Sequence, residues 1–150
     1  AVMLGRRDRG TPKAKETAML RQTIVPPTMQ HIVERFHYAP AVRIGPWVTC
    51  AGQVGRDANM KVIEGLEAQI IQAWENVRTV LASAGAGFEH VYAMTTYHVG
   101  IHEQLETFIR IKDQYILHKD QPPTWTGIGV TALSFPGQVV EIQVNAYVPE

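Results

Sequence analysis

Cysteine is almost missing from this sequence of 150 residues: Cys50 is the only one, so no disulfide can form within a chain. A lone thiol is typical of proteins from a reducing compartment, which favours the cytoplasm. No apolar run approaches the roughly 20 residues of a membrane-spanning helix, and no segment has the basic and apolar regions of a signal peptide. We therefore expect a cytoplasmic protein that has no membrane partner.

The sequence also has a formal net charge of zero, because 14 basic side chains balance 14 acidic ones. The balance is uneven, since residues 1–21 carry a surplus of four positive charges and the rest a surplus of four negative ones. Residues 1–20 have few large apolar side chains, which predicts a disordered tail or a remnant of processing or expression. Residues 21–150 are expected to form a single domain, and its acidic balance argues against nucleic acid as a partner.

Most motifs of cofactor and metal chemistry are also absent. No glycine is followed by lysine, which excludes the phosphate-binding P-loop pattern. His98 and His102 are the only suggestive histidine pair, but Gly100 lies between them and no cysteine or carboxylate completes a metal site. Cys50 lies in a predicted strand, where a cysteine is more often a small buried hydrophobe than a nucleophile. We predict neither a metal nor a cofactor.

Apolar periodicity and turn residues divide the rest of the chain into short strands and two helices. A helical stripe recurs at three- and four-residue spacing from Leu66 to Leu81, and glycines follow it. A second helix is ended by Pro122 and Pro123. The element order β-β-(β)-α-β-α-β-β predicts an α+β fold, a mostly antiparallel sheet with two helices on one face. The predicted strands are residues 42–44, 48–50, a short 61–63, 91–99, 127–133 and 139–144; the helices are residues 66–81 and 105–116, after a short helical or irregular lead-in at 29–36.

The last quarter of the sequence contains the first candidate for chemistry. Two extended segments flank Phe135-Pro136-Gly137, which is the pattern of a hairpin or a close relative of one. Glu141 stands among β-branched neighbours in the second segment. A carboxylate in such a strand is costly to bury unless a partner or substrate meets it. Glu141 is therefore the candidate catalytic residue.

Four blocks of the sequence, in order, resemble the RidA/YjgF family, which is also labelled endoribonuclease L-PSP-like. The similarity covers about residues 36–148. It implies a chorismate-mutase-like α+β fold and a homotrimer with a small-molecule cleft at each subunit interface. The blocks are YAPAVRIGPWVTCAGQ at residues 38–53, QIIQAWENVRTVLASAG at 69–85, VYAMTTYHV at 91–99 and VEIQV at 140–144.

The resemblance also implies a reaction, the hydrolysis of reactive enamines and imines released by pyridoxal-phosphate enzymes. That chemistry needs an arginine to bind the substrate carboxylate, and the family carries it in a PAR[ST] motif. Here Trp125 occupies the arginine's position, and an indole has one neutral donor. The chain is thus predicted to be a divergent member. The residues that match cleft positions of the family are Glu141, Tyr38, Gly52 and Thr126.

Two positions leave alternatives open. Lys112 aligns with a family asparagine and is either an exposed helix lysine or a cationic anchor that replaces the missing arginine. In the second interpretation, Lys112 or Arg56 faces Trp125 across the cleft. Trp125 itself either stacks on a flat or apolar substrate or packs at a subunit interface. Glu141 either acts as a general base or bonds backbone amides near the cleft.

Three functions remain. The first is a hydrolase or deaminase that acts on a small imine, enamine or amide, with a substrate changed by the loss of the arginine. The second is a non-catalytic trimer that binds a metabolite. The third is the RNA-cleaving or translation-inhibiting activity with which some relatives are labelled, and the acidic domain argues against it. The sequence favours the first, with Glu141 as the catalytic residue and Tyr38, Gly52, Lys112, Trp125 and Thr126 as the substrate-binding residues.

Overall fold

The computed structural model describes residues 20–149, which form one seven-stranded sheet and its covering helices. The predicted tail, residues 1–20, lies outside the described residues except for Leu20. No helix within the described residues is long and apolar enough to cross a membrane. The strands are β1 Arg21–Ile24, β2 Ala41–Ile44, β3 Trp47–Cys50, β4 Gln53–Val54, β5 Val91–Val99, β6 Thr124–Val130 and β7 Val140–Tyr147. The helices are α1 Gln30–Phe36, α2 Leu66–Ser83 and α3 Ile101–Tyr115, with short 3-10 turns at Pro27–Met29 and Phe88–His90.

The sheet has the strand order β1-β2-β3-β7-β5-β6, and β4 also pairs with β7, nearer the start of that strand than β3 does. Every pair of strands is antiparallel except β5 and β6, which run parallel over seven residues. Parallel neighbours need a crossover connection, and α3 supplies it between these two strands. The predicted α+β class with a mostly antiparallel sheet is confirmed.

The predicted closing hairpin is wrong. β6 and β7 lie on opposite sides of β5, so that Thr95 of β5 pairs with Thr126 on one side and Gln143 on the other. Nine residues separate the two strands, which is longer than the two to five or so of an ordinary hairpin loop. This loop leads the chain across the end of β5. The predicted short strand at residues 61–63 is only an isolated bridge between Arg56 and Val62.

The core lies between the two long helices and one face of the sheet. The predicted stripe of α2 packs inward except at its first residue: Ile70, Trp74, Val77 and Leu81 have no exposed surface, whereas Leu66 is 36% exposed. From the sheet side, alternate residues of β7 meet them: Val140, Ile142, Val144 and Ala146 are equally buried. α3 adds Phe108 and Ile111. The two-residue period of β7 thus matches the 3.6-residue period of α2 across one apolar layer.

The other face of the sheet, called here the open face, has no covering layer among residues 20–149. It exposes aromatic side chains instead: Trp47 is 52% exposed and packs edge-on against Tyr147 and Tyr92, with ring centroids 4.8 and 5.7 Å apart. Ile44 and Ile128 are also large and exposed. A patch of this kind on a folded domain marks an interaction surface.

We expect Ile142→Ala to lower the free energy of unfolding by about 2–5 kcal/mol, because it leaves a cavity where β7 meets the helices. The matched control is Ile71→Ala on α2, where the side chain is 39% exposed and the loss should stay below about 1 kcal/mol. Urea unfolding at one fixed protein concentration measures both. Equal losses in the two variants would contradict the assignment of the core.

Candidate functional site

Glu141 lies on the open face, where its strand neighbours are Tyr97 of β5 and Val54 of β4. The strand pairing on the side of β7 away from β5 is interrupted near Glu141, because β3 ends at Cys50 and β4 begins only at Gln53. Gly52 lies in this interruption, and a Cβ atom built on it would overlap the Glu141 carboxylate. The carboxylate therefore rests directly against the Gly52 backbone, and any larger residue at position 52 would displace it.

Two features of the surroundings of Glu141 shift the pKa of its carboxyl group in opposite directions. Burial raises the pKa of Glu141 above its ordinary value, and the charge of Arg56 opposes that shift. Burial disfavours the charged form and a nearby cation favours it. A carboxyl group whose pKa is raised toward the working pH is a better general base than a fully solvated one.

The open face also carries two polar residues next to Glu141 on β7, Gln143 and Asn145, called here the polar row. The Gln143 amide donates to the Cys50 carbonyl at 2.9 Å and to Asn145 Oδ1 at 3.0 Å. These bonds hold the end of β3 against β7 just before the interruption at residues 51 and 52. Cys50 itself points into the core, and burial raises the pKa of its thiol to about 12. The thiol stays protonated at neutral pH, which agrees with the prediction of a buried hydrophobe.

Trp125 lies on the helix-covered face of the sheet, opposite to Glu141. Its register partner is Met94 of β5, whose side chain is buried. The ring is tilted against Phe108 of α3 at 5.7 Å, and Lys112 Nζ lies 5.0 Å from its centroid. Only 18% of the Lys112 side chain is exposed, so it is not the solvent-exposed helix lysine of one interpretation. The structure brings Lys112 and Trp125 together within one chain. That Lys112 is a displaced cationic anchor facing Trp125 across a cleft stays a prediction.

A buried chain of hydrogen bonds orients the indole of Trp125. Its Nε1 donates to Thr96 Oγ1 at 2.8 Å, and the Thr96 hydroxyl donates in turn to His98 Nε2 at 2.6 Å. His98 Nδ1 donates to Gln104 Oε1 at 2.9 Å, because the Gln104 amide nitrogen is already committed to two backbone carbonyls. Burial lowers the pKa of His98, which keeps the ring neutral in this single tautomer.

This chain of hydrogen bonds was not predicted. The sequence singled out His98 only for its spacing to His102, and the structure places His98 in the core and His102 on the surface of α3. No group of three metal-ligating side chains exists within residues 20–149. The alternation of β5 places Thr96 and His98 on one face, but nothing local identifies Gln104 as their partner.

The remaining predicted site residues do not join a single cluster within one chain. Thr126 lies on the open face beside Thr95 and is exposed. Tyr38 and Arg56 line a cavity beneath α1, away from Trp125. One chain therefore contains two separate groups, Glu141 with Gly52 on the open face and Trp125 with Lys112 on the helix side.

The sequence matches one family model and a curated protein, and the fold matches solved structures. The family model described as "Endoribonuclease L-PSP" matches residues 28–148. The chain is 32% identical over 133 residues to the RutC family protein YjgH of Escherichia coli, which covers 88% of this chain and 99% of that protein. A solved structure of the protein YjgH superposes with a TM-score of 0.79 at 29% identity, covering 87% of this chain and 98% of that one. RidA from the Antarctic bacterium Psychrobacter superposes with a TM-score of 0.71 at 26% identity, covering 85% and 99%.

The raised pKa of Glu141 predicts a pH-dependent difference between the protein and its Glu141→Gln variant. The folded state favours the protonated carboxyl, so this contribution to stability is present below the ordinary pKa of 4.5 and is lost as the pH rises through the folded-state pKa. Glutamine mimics the protonated form at every pH. We expect the variant to melt higher than the parent at neutral pH and at the same temperature below pH 4.5. Calorimetry across the pH range measures this.

Glu106→Gln on the exposed side of α3 is the matched control and should show no such trend. Melting curves of Glu141→Gln that run parallel to the parent at all pH values would contradict the assigned burial effect.

We expect Thr96→Val to cost about 1–3 kcal/mol of unfolding free energy, since it leaves the Trp125 indole N–H and His98 Nε2 without a buried partner while keeping the shape of the side chain. Thr23→Val on the exposed strand β1 is the control, with a change within about 0.5 kcal/mol. Chemical denaturation measures both. A loss no larger than that of the control would show that the hydrogen-bond chain does not hold the indole.

Proposed function

Because the chain belongs to the endoribonuclease L-PSP family, also called the RidA/YjgF family, we propose that it is a homotrimeric hydrolase of the deaminase type. Its substrate is a small imine, enamine or related amide, bound in a cleft between subunits. Glu141 activates the attacking water. The observation that carries this proposal is the Glu141 carboxylate, which lies half-buried on the open face against Gly52 with its pKa raised by burial.

The proposed reaction requires one carboxyl group to act first as a general base and then as a general acid. The Glu141 carboxylate takes a proton from water as the oxygen adds to the carbon of a protonated imine, which produces a neutral tetrahedral carbinolamine. The protonated Glu141 then donates to the nitrogen, and the C–N bond breaks as the carbinol hydroxyl gives its proton to Glu141. The products are a carbonyl compound and ammonia, which carries that proton away as ammonium. A group that switches between both roles needs a pKa near the working pH, which burial supports here.

The open face supports assembly into a trimer. It carries Glu141, the polar row and the exposed aromatic patch of Trp47, Tyr92 and Tyr147, so the surface that needs a partner is also the surface that holds the candidate base. A neighbouring subunit is also required to bring the Trp125 and Lys112 pair near a second chain's Glu141, because the sheet separates the two groups within one chain.

In this proposal the Lys112 and Trp125 pair takes the part that an arginine plays for a substrate carboxylate. Lys112 supplies the positive charge, and the indole holds the ammonium by a cation–π contact at 5.0 Å. Asp113 also pairs with this ammonium at 3.0 Å, so a substrate carboxylate competes with it for the charge. A lysine binds a carboxylate as a point charge rather than bidentately, so selectivity for 2-imino acids should be weaker than with an arginine.

A non-catalytic trimer that binds a metabolite is the second candidate. Trp125 favours it, because the indole is packed against Phe108 and hydrogen-bonded to Thr96 and so is not free to contact a ligand with its polar edge. The two candidates differ in whether the carboxylate of Glu141 meets a hydrolysable bond.

The deciding experiment is a coupled assay on 2-aminoacrylate and branched-chain imines generated in situ, using protein confirmed as a trimer by light scattering. We expect the parent to accelerate release of the keto acid, and Glu141→Gln to lower the rate by about 10²–10⁴-fold, the usual loss for a general base. The activity should rise with pH along an acid limb whose midpoint lies above the ordinary glutamate pKa of 4.5.

Glu106→Gln, an exposed glutamate on α3, serves as the control and should keep full activity. A folded trimer that gives no acceleration on these substrates would remove the deaminase proposal and leave the metabolite-binding one. Activity that survives Glu141→Gln would remove Glu141 from the mechanism.

A further inference from the structure

A cavity of about 160 Å³ lies between α1, the segment after β4 and the polar side of α2. Thr28, His31 and Ile32 line it from the α1 side, Arg56 and Asp57 from the segment after β4, and Gln72 and Asn76 from α2. Tyr38 and Gln53 also line it, and the charge of Arg56 on its wall acts on Glu141, so the cavity adjoins the surface on which Glu141 meets Gly52. An engineered cavity of about 150 Å³ is enough to hold benzene, so this one fits a ligand of roughly six to eight non-hydrogen atoms.

The cavity presents one cation and one anion that are neighbours in sequence but do not neutralise each other. Within residues 20–149, no acidic side chain lies within ion-pair distance of the Arg56 guanidinium. Asp57 uses one carboxylate oxygen, Oδ1, to accept the backbone N–H groups of Asn59 and Lys61 at 2.9 and 3.0 Å. Its second oxygen, Oδ2, makes no bond to the residues described. A guanidinium fork binds a carboxylate, and a carboxylate binds an ammonium group.

The amides of α2 add a hydrogen-bond acceptor whose orientation is determined by its partners. Asn76 Nδ2 donates to the carbonyls of Val54 and Arg56, both at 2.8 Å, so its oxygen is left as the acceptor. Gln72 Nε2 donates to that oxygen at 2.9 Å. Gln72 Oε1 is thereby left without a donor within the described residues. A cavity ligand that satisfies it must carry an N–H or O–H group.

We propose that this cavity is a binding site for a small α-amino acid in its zwitterionic form. The carboxylate of the ligand pairs with Arg56, and its ammonium group donates to Gln72 Oε1 and the Asp57 carboxylate. Alanine, serine and threonine have the size that the cavity accepts. This site does not depend on hydrolysis at Glu141, and it takes its ligand within one chain rather than between subunits.

Isothermal titration calorimetry with L-alanine and L-serine tests the proposal on the intact protein. We expect a dissociation constant of about 1 mM or tighter, at least about tenfold weaker binding of lactate, which lacks the ammonium group, and of L-alaninamide, which lacks the carboxylate. Arg56→Gln and Gln72→Leu change two different elements of the cavity, and each should weaken L-alanine binding by about tenfold or more. Arg35→Gln on the exposed side of α1 is the matched control and should bind as the parent does.

Glu141→Gln distinguishes this site from the proposed cleft. Because the charges of Glu141 and Arg56 interact, we expect it to change amino-acid binding, but by less than the roughly tenfold or greater loss in Gln72→Leu. Loss of binding in Glu141→Gln together with retention in Gln72→Leu would place the ligand in the cleft and overturn the proposal. So would equal binding by the parent and both cavity variants, or the absence of any heat with either amino acid.

Discussion

The strict alternation of β7 is the constraint on which the other features depend. This strand is bonded to β3, β4 and β5, so it joins the two halves of the sheet. Its even-numbered residues from Val140 to Ala146 have no exposed surface and form the sheet side of the core. Its odd-numbered residues are then directed to the open face, where Glu141 lies. A shift of one residue in register would bury the carboxylate and expose the apolar set.

The polar groups of the buried hydrogen-bond chain at Trp125 are all paired, which offsets the cost of removing them from water. Thr96, His98 and Gln104 are all nearly or fully buried, yet each donor and acceptor between Trp125 and the carbonyls of Val99 and Val139 has a partner. Gln104 therefore links α3 to the loop before β7. The same chain determines the orientation of an indole at the position where the resemblance leads one to expect an arginine, so the substitution is accommodated by the core and not only by the surface.

Features with a local period were predictable, and features that join distant segments were not. The stripe from Leu66 to Leu81 predicted α2 and, from Ile70 onward, its buried face, because helix periodicity is a property of a single segment. Glu141 was found as a charge among β-branched neighbours. The closing hairpin was predicted wrongly, since the pattern of β6 and β7 contains no information on which edge of β5 each strand joins. The sequence also assigned Trp125 and Glu141 to one cleft between subunits. One chain holds them on opposite faces, and their meeting across an interface stays a prediction.

The amino-acid sequence by itself determined the α+β class, the positions of the long helices, the family resemblance and the candidate base, because these follow from periodicity and from residues close together in the chain. Only the tertiary structure decided the parallel pairing of β6, the contact of Lys112 with Trp125, the tautomer of His98 and the cavity beneath α1. Each of these depends on side chains that are distant in sequence, such as Asn76 and Val54, and chain folding alone brings their hydrogen-bonding groups within reach.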